Sequence, residues 1–216
     1  MKEAAVFDID DTLLNGNTGR IYAKVFFRAG IIRLQDVLIF AKFFLSYRMN
    51  RLNYAKAMEK TYALIKDWDV KKIVSLIENN HAKLVRPLIS KKMMEELNRH
   101  KRQGRKIILA TNSWYEMVAP VAKDVGADIV LATEAEKKKG IFTGNLKNSC
   151  HGKKKMERVI ETAKKHNIDL KKSYAYSDHH SDWWMLSSVG KPVAVTPNRK
   201  LRKYAIEKKW RVIDSK

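Results

Sequence analysis

The part of the chain that follows Pro87 alternates between helix patterns and short apolar strand patterns. Apolar residues at steps of three and four predict helices, and short apolar runs between turn residues predict strands. This alternation is typical of a parallel sheet with helices on both faces. In chain order the prediction is helix 90–103, strand 106–111, helix 114–125, strand 128–132, a hairpin element at 141–145, helix 153–166, strand 173–177, helix 181–189, strand 192–195, helix 200–208 and strand 211–213.

The first residues of the chain predict one more strand of the same kind. An uncharged apolar run, residues 4–7, leads into Asp8, Asp10 and Asp11, followed by Thr12. Side chains two positions apart on a strand leave on the same face, so Asp8 and Asp10 are expected to lie side by side. Neighbouring carboxylates repel each other unless a cation sits between them. Taken alone, the stretch is compatible with a cation site or with an ordinary acidic turn.

Residues 16–86 show helix patterns and no strand pattern. Helices are predicted at 21–28, 34–47, 52–66 and 70–84, with Asp67 or Asp69 as the N-cap of the last one. We therefore predict a doubly wound α/β core formed by residues 1–15 and 87–216, with an all-helical domain, residues 16–86, inserted into it. A chain of 216 residues is long enough to bury such a core.

The formal net charge of +21 is extreme for a chain of this size. A field of this sign attracts phosphorylated substrates, nucleic acid or an anionic membrane surface. The lysines, however, are scattered along the sequence and are not gathered with aromatic residues on one element. A lysine-rich surface is therefore the preferred interpretation, and the charge gives no firm indication of a nucleic-acid partner.

Targeting and membrane signals are weak in this sequence. The single cysteine, Cys150, excludes an internal disulfide and a cysteine-based zinc site. The most apolar internal stretch, residues 37–45, contains Lys42 and is too short to span a bilayer. The N-terminus has no signal-peptide pattern. We therefore expect a cytoplasmic protein without a transmembrane segment, and the sequence does not indicate an oligomeric state.

Polar side chains follow three of the predicted strands. They are Asp8, Asp10, Asp11 and Thr12 after the first, Thr111, Asn112 and Ser113 after the second, and Asp178, His179, His180, Ser181 and Asp182 after a third. Parallel strands present their carboxyl ends at one edge of the sheet, where ligands bind in such folds. We therefore expect these side chains to form one site.

The chemistry of such a site follows from its donors. Carboxylate oxygens favour a hard cation, and Mg²⁺ needs only one or two of them beside water and phosphate, so Asp8 and Asp178 are the expected metal ligands, with the main-chain carbonyl of Asp10 as a third. A carboxylate beside Mg²⁺ can attack phosphorus and form an acyl phosphate. Asp10 would then move the proton. The hydroxyl of Thr111, main-chain N–H groups and a lysine would hold the phosphate.

This set of residues resembles the haloacid dehalogenase (HAD) superfamily of phosphohydrolases, in its phosphoserine-phosphatase-like branch with a helical cap. Four motifs carry the resemblance, in the order and on the elements that the family uses. They are the hhhhDxDxT stretch that ends at Thr12, the strand that ends at Thr111, the Cys-x-Gly-x-x-Lys stretch from Cys150 to Lys155, and the DxxxD stretch from Asp178 to Asp182. The resemblance covers nearly the whole chain and implies that the helical insert is a cap domain.

The resemblance also implies individual roles. Asp8 would be the nucleophile and Asp10 the general acid and base. Lys155 would contact both the phosphate and the nucleophile, although Lys153 in the same run is an alternative. Asp178 would bind metal.

Residues around these have supporting roles or none. Asp182 would anchor the metal-bound waters or Lys155, Thr12 would hydrogen-bond within the loop, and Asn112 would add a main-chain donor for the phosphate. The remaining polar or aromatic residues near the motifs are interpreted as bystanders: Asp11 as a turn residue, His179 and His180 as solvent-facing loop residues, Trp183 and Trp184 as core packing, and Cys150 as unreactive.

The resemblance argues against phosphoserine as the substrate. Relatives use a Glu and an Arg of the cap to hold the substrate amino acid, and the matching positions here are Asn17 and Thr61. The cap is instead rich in large apolar side chains, most of them expected in its core and some available to line an apolar pocket: Phe26, Phe27, Phe43, Phe44, Met49 and Met58.

The predicted function is a Mg²⁺-dependent phosphomonoester hydrolase that forms an aspartyl-phosphate on Asp8 and acts on a small phosphorylated metabolite. One alternative is a phosphotransferase or mutase that uses the same intermediate. Another, of a different class, is a basic module that binds nucleic acid or a membrane surface.

Overall fold

The computed structural model describes residues 2–39, 42 and 54–215. Seven strands form one sheet in the order β4-β3-β2-β1-β5-β6-β7. Every neighbouring pair is parallel except β3 and β4, which are antiparallel. In chain order the strands are β1 (Ala4–Phe7), β2 (Lys106–Trp114), β3 (Ile129–Lys138), β4 (Ile141–Asn148), β5 (Tyr174–Ser177), β6 (Lys191–Val195) and β7 (Arg211–Ile213). The predicted α/β class is confirmed.

Strand β1 lies in the centre of the sheet, between β2 and β5. All four of its residues are fully buried, with Ala5 and Phe7 in one apolar cluster and Ala4 and Val6 in the other. A strand covered on both faces has no polar side to show, which explains why its sequence is a continuous apolar run.

The helices surround this sheet, and several begin at a residue whose side chain caps them. In chain order they are α1 (Thr18–Arg28), α2 (Tyr54–Ala63), α3 (Val70–Leu84), α4 (Lys91–Arg102), α5 (Tyr115–Val125), α6 (Gly152–Lys165), α7 (Trp183–Ser187) and α8 (Arg199–Glu207). The carboxylate of Asp69 accepts from the N–H of Lys72 at 2.7 Å and so caps α3. Gly126, with φ of +58°, ends α5 in the left-handed conformation.

The sheet differs from the prediction on one side of β1. Strand β2 runs to Trp114 rather than to residue 111, and β3 runs to Lys138 rather than to residue 132. The turn at Lys139 and Gly140, both with positive φ, folds β4 back against β3. A two-residue turn can connect only antiparallel strands, so the sheet is not purely parallel.

The β3–β4 hairpin reaches the helical insert. The N–H of Asp67 donates to the carbonyl of Phe142 at 2.9 Å, and the N–H of Val70 donates to that of Gly140 at 2.9 Å. The ring of Phe142 packs edge-on against Trp114 at the end of β2. The hairpin thereby joins the insert to the core.

The described residues between 16 and 86 form helices and no strand. Helix α1 starts earlier than predicted because Asn17 caps it, and α2 is shorter than the predicted helix 52–66. Residues 34–39 are helical, whereas Phe43, Phe44 and Met49 lie outside the described residues. The division at 15/16 and 86/87 stays a prediction.

Phe27 is one of the apolar residues of the insert that do not lie in the core. Its side chain is 48% exposed, although that of Phe26 is 1% exposed. None of the described helices is long and apolar enough to cross a bilayer.

His100 on α4 is a buried titratable group beneath the sheet. Its Nε2 lies 2.7 Å from the hydroxyl of Tyr176, and burial lowers its pKa from 6.5 to about 4. The unfolded chain therefore takes up this proton first as the pH falls through 6.5. The free energy of unfolding therefore decreases as the pH falls from 6.5 to about 4, because in this range the unfolded state binds the proton and the folded state does not.

We expect His100 alone to lower the free energy of unfolding by about 2 kcal/mol between pH 7 and pH 5. Urea denaturation at both pH values, on wild type and His100→Gln, measures this contribution. The exposed His166 offers a matched control, since His166→Gln should keep the wild-type slope. Equal losses in wild type and His100→Gln would contradict a buried, neutral His100.

Candidate active site

The fold brings the polar ends of three strands together. Phe7, the last residue of β1, pairs with Leu109 on β2 and with Tyr176 on β5. Asp8 follows Phe7 directly, and Thr111 and Asp178 each stand two residues beyond Leu109 and Tyr176. The expected convergence at the carboxyl ends of the strands is therefore present in the fold.

Lys155 forms the charged centre of this site. Its ammonium lies 3.0 Å from Asp8 and 2.7 Å from Asp182, and the lysine is 2% exposed. The hydroxyl of Ser177 donates to the same oxygen of Asp182 at 2.7 Å. Lys153, the sequence alternative, is an exposed residue. The geometry therefore selects Lys155 as the lysine next to the predicted nucleophile.

Asp10 is held by Thr18, the first residue of helix α1. Its carboxylate accepts from the N–H of Thr18 at 2.6 Å and lies 3.2 Å from the Thr18 hydroxyl. Ser113 also hydrogen-bonds this carboxylate through its hydroxyl. Sequence reasoning assigned no role to Thr18 or Ser113; the one available signal was that Ser113 stands in the polar run with Thr111.

Thr12 connects the two predicted metal ligands. Its hydroxyl lies 3.1 Å from the carboxylate of Asp178 and 3.4 Å from that of Asp8. The N–H of Asp178 donates to the Thr12 oxygen at 3.0 Å. Thr12 is fully buried and so fixes the separation of the strand ends that carry these carboxylates.

Burial dominates the electrostatics of the carboxylates. Burial raises the pKa of Asp8 well above its usual range, Lys155 opposes the rise, and the charge of Asp182 adds to it. Burial also raises the pKa of Asp178 to about 6 and that of Asp10. Carboxylates in such a place are stabilised as anions by a bound cation.

The donors of the site fit a hard cation. Asp8 and Asp178 offer carboxylate oxygens. The main-chain carbonyl of Asp10, two residues after Asp8, is the predicted third donor. Across residues 2–39, 42 and 54–215, no cluster of three or more His, Cys, Asp or Glu side chains is arranged to hold a metal. Two carboxylates completed by water and phosphate suit Mg²⁺, whereas Zn²⁺ would need nitrogen or sulfur ligands.

Thr111 is buried at the candidate active site, whereas the neighbouring Asn112 is more exposed. Thr111 is 1% exposed, and its hydroxyl oxygen accepts from the N–H of Ser113 at 3.0 Å. Asn112 is half-buried. Both stand within β2 rather than in the loop after it, because β2 extends to Trp114.

The remaining residues near the motifs separate into structural groups. Asp11 adopts φ of +56° in the turn, and its N–H donates to the carbonyl of Gly16 at 3.0 Å. Burial raises the pKa of the Cys150 thiol to about 11, which leaves it protonated and unreactive.

His179 is exposed, as expected. Trp184 is also 46% exposed, although it was expected to pack in the core. Helix α7 turns Trp184 outward because Met185 and Leu186 occupy its buried side.

Comparison with known proteins decides the family of this chain. The family described as haloacid dehalogenase-like hydrolase matches residues 5–187. The chain belongs to this family. The hydrolase is 33% identical over 216 residues to phosphoserine phosphatase SerB1 of Mycobacterium tuberculosis, in an alignment that covers 98% of this chain and 70% of that protein. It is a phosphatase of the phosphoserine-phosphatase-like type, as the motifs predicted.

Solved structures share the fold of this hydrolase. A protein of unknown function from Bordetella pertussis Tohama I superposes with a TM-score of 0.91 at 24% identity, covering 100% of both chains. A phospho-aspartyl intermediate analogue of phosphoserine phosphatase superposes with a TM-score of 0.71 at 21% identity, covering 100% of this chain and 94% of that one.

Proposed function

We propose that this phosphatase is a Mg²⁺-dependent phosphomonoester hydrolase that works through an aspartyl-phosphate on Asp8. The observation that carries the proposal is the buried ion pair between Asp8 and Lys155, with Asp10 two residues further along the chain and Asp178 joined to Asp8 through Thr12. A purely structural strand end has no need of this set of buried charges.

In the first step the carboxylate of Asp8 attacks phosphorus, and the bond to the leaving oxygen breaks. Asp10 gives its proton to that oxygen, a role that suits a carboxyl group whose pKa is raised by burial. Lys155, the hydroxyl of Thr111 and the N–H of Asn112 hold the phosphoryl oxygens. Mg²⁺, when bound, neutralises charge that develops on the phosphoryl group.

In the second step water attacks the phosphorus of the aspartyl-phosphate. Asp10, now ionised, takes the proton from this water, and the bond between phosphorus and Asp8 breaks. Phosphate leaves, and both carboxyl groups return to their starting states. Asp182 keeps Lys155 oriented throughout, because it accepts from the ammonium at 2.7 Å.

The substrate in this proposal is a small phosphorylated metabolite other than phosphoserine. SerB1 is named for phosphoserine, and its similarity extends over 98% of this chain and 70% of SerB1. Asn17, however, uses its side-chain oxygen to cap α1, where it accepts from the N–H of Arg20 at 3.0 Å. The side-chain oxygen of Asn17 therefore hydrogen-bonds the helix rather than the amino-acid part of a phosphoserine substrate.

Dependence on metal tests the proposal. Turnover of p-nitrophenyl phosphate is expected to fall at least about 100-fold in EDTA and to return with added Mg²⁺. A circular dichroism spectrum in EDTA controls for unfolding. Full turnover by the folded protein in EDTA would contradict a metal-dependent site.

Ser113 is predicted to position Asp10 for proton transfer. Ser113→Ala removes one hydrogen bond to the carboxylate, and we expect kcat to fall about tenfold with little change in KM. Steady-state kinetics on p-nitrophenyl phosphate measure kcat and KM separately. Ser113→Thr, which keeps the hydroxyl, and Ser75→Ala on the exposed face of α3 are the controls. An unchanged kcat in Ser113→Ala would refute this role.

A further inference from the structure

A second concave surface lies away from the candidate active site. This groove has a volume of about 630 Å³, and the first residues of β5, β6 and β7 (Tyr174, Lys191 and Arg211) line it. It therefore opens at the amino ends of the strands, opposite the edge that carries Asp8. None of the proposed site residues lines it.

Aromatic rings form one wall of the groove. Trp183 stacks with Trp210 at 6.1 Å between ring centroids, with 20° between the ring planes. It also stacks with Tyr204 at 5.2 Å and 27°. Tyr204 lies outside the groove lining; it is 40% exposed and ends this set of nearly parallel rings at the protein surface. Planar bases stack on surfaces of this kind whatever their sequence.

Four cations line the groove beside small and aliphatic residues, and no carboxylate is among its lining residues. The lining cations are Lys191, Lys208, Lys209 and Arg211. Arg211 pairs with Glu96 at 2.9 Å, and Lys191 lies 4.8 Å from the centre of the Tyr174 ring. Lys208 and Lys209 are exposed and form no ion pair with any other residue that the structure describes.

Helix α8 extends this positive surface beyond the groove. Four of its residues are exposed cations: Arg199, Lys200, Arg202 and Lys203. Most of these cations stand with Tyr204 and Trp210 in one stretch of the sequence, residues 199–211, and the fold adds Trp183 and Lys191 from elsewhere. More cations are present than one nucleotide needs, which favours a chain of phosphates. The concave shape of the groove favours a strand over a flat bilayer.

We propose that this groove binds single-stranded nucleic acid, with bases on Trp210 and Tyr204, the two end rings of the stack centred on Trp183, and phosphates on Lys208, Lys209 and the cations of α8. Binding of this kind is not sequence-specific, because the rings read the flat face of a base and the lysines read the backbone. The proposal is independent of the phosphatase chemistry, since it uses none of the same residues.

Fluorescence anisotropy with a labelled single-stranded RNA of roughly 12 nucleotides tests the proposal. Lys208→Gln combined with Lys209→Gln is expected to weaken binding about 25-fold at roughly 100 mM NaCl and to reduce the salt slope by roughly 1.4. Lys71→Gln combined with Lys72→Gln, on exposed lysines of α3, removes the same charge elsewhere and should leave binding nearly unchanged. Phosphatase activity of both double variants should equal that of wild type.

Three competitors identify the occupant. RNA is expected to bind more tightly than ATP, than inorganic polyphosphate of similar length and than vesicles of phosphatidylserine and phosphatidylcholine. Equal binding of polyphosphate would overturn the role of the rings. The proposal would be overturned if ATP or vesicles bound more tightly than RNA, or if RNA did not bind at this salt concentration. It would also be overturned if the two double variants weakened RNA binding equally.

Discussion

Replacing Lys155 by methionine is expected to lower kcat on p-nitrophenyl phosphate by roughly 10³-fold. The ammonium of Lys155 lies 3.0 Å from Asp8, where it keeps the nucleophile ionised and meets the phosphoryl oxygens. The same change leaves Asp8 and Asp182 buried without their cation. We therefore also expect the free energy of unfolding to fall by roughly 3 kcal/mol. Steady-state kinetics and urea denaturation measure the two effects.

Lys153→Met is the matched control for Lys155→Met. Both lysines belong to one run, but Lys153 is exposed, so its replacement should change stability by less than about 0.5 kcal/mol and leave kcat intact. If the large loss of activity followed Lys153 instead, the lysine assignment would be wrong.

Asp8→Asn is expected to reduce kcat by roughly 10⁴-fold or more, because an amide is not a nucleophile toward phosphorus. The amide has nearly the shape of the carboxylate, and burial already disfavours the charge of Asp8, so the variant should fold. Kinetics on p-nitrophenyl phosphate and a thermal melt test both parts.

Asp11→Asn makes the same chemical change three positions further along the chain. Asp11 stands in the turn, and the hydrogen bond with Gly16 is made by its main chain. The kcat of Asp11→Asn should stay within about threefold of that of wild type. Similar losses in both variants would mean that the acidic cluster acts through total charge rather than through one nucleophile.

The core of the site was predictable because it depends on local geometry. Parallel strands bring Asp8, Thr111 and Asp178 to the same edge of the sheet. The period of a strand does not apply to Asp10, because β1 ends at Phe7 and residues Ile9–Leu13 form a helical turn. The family and the α/β fold, both confirmed, follow from the same residues.

The parts that escaped prediction depend on packing between distant elements. Ser113 reaches Asp10 only because β2 continues past its apolar run and α1 begins at Thr18. Trp183 and Trp210 meet only when α7 and α8 pack on the same face of the sheet. No local pattern in the sequence marks the contact of the two tryptophans, and the only signal for Ser113 is its place in the polar run with Thr111.

Covalent attachment of phosphorus to Asp8 is the most direct test of the proposed mechanism. Acid quenching during turnover, followed by peptide mass spectrometry, should find one phosphoryl group on the peptide that contains Asp8 in wild type and none in Asp8→Asn. A phosphoryl group on another residue, or rapid turnover by Asp8→Asn, would contradict the mechanism.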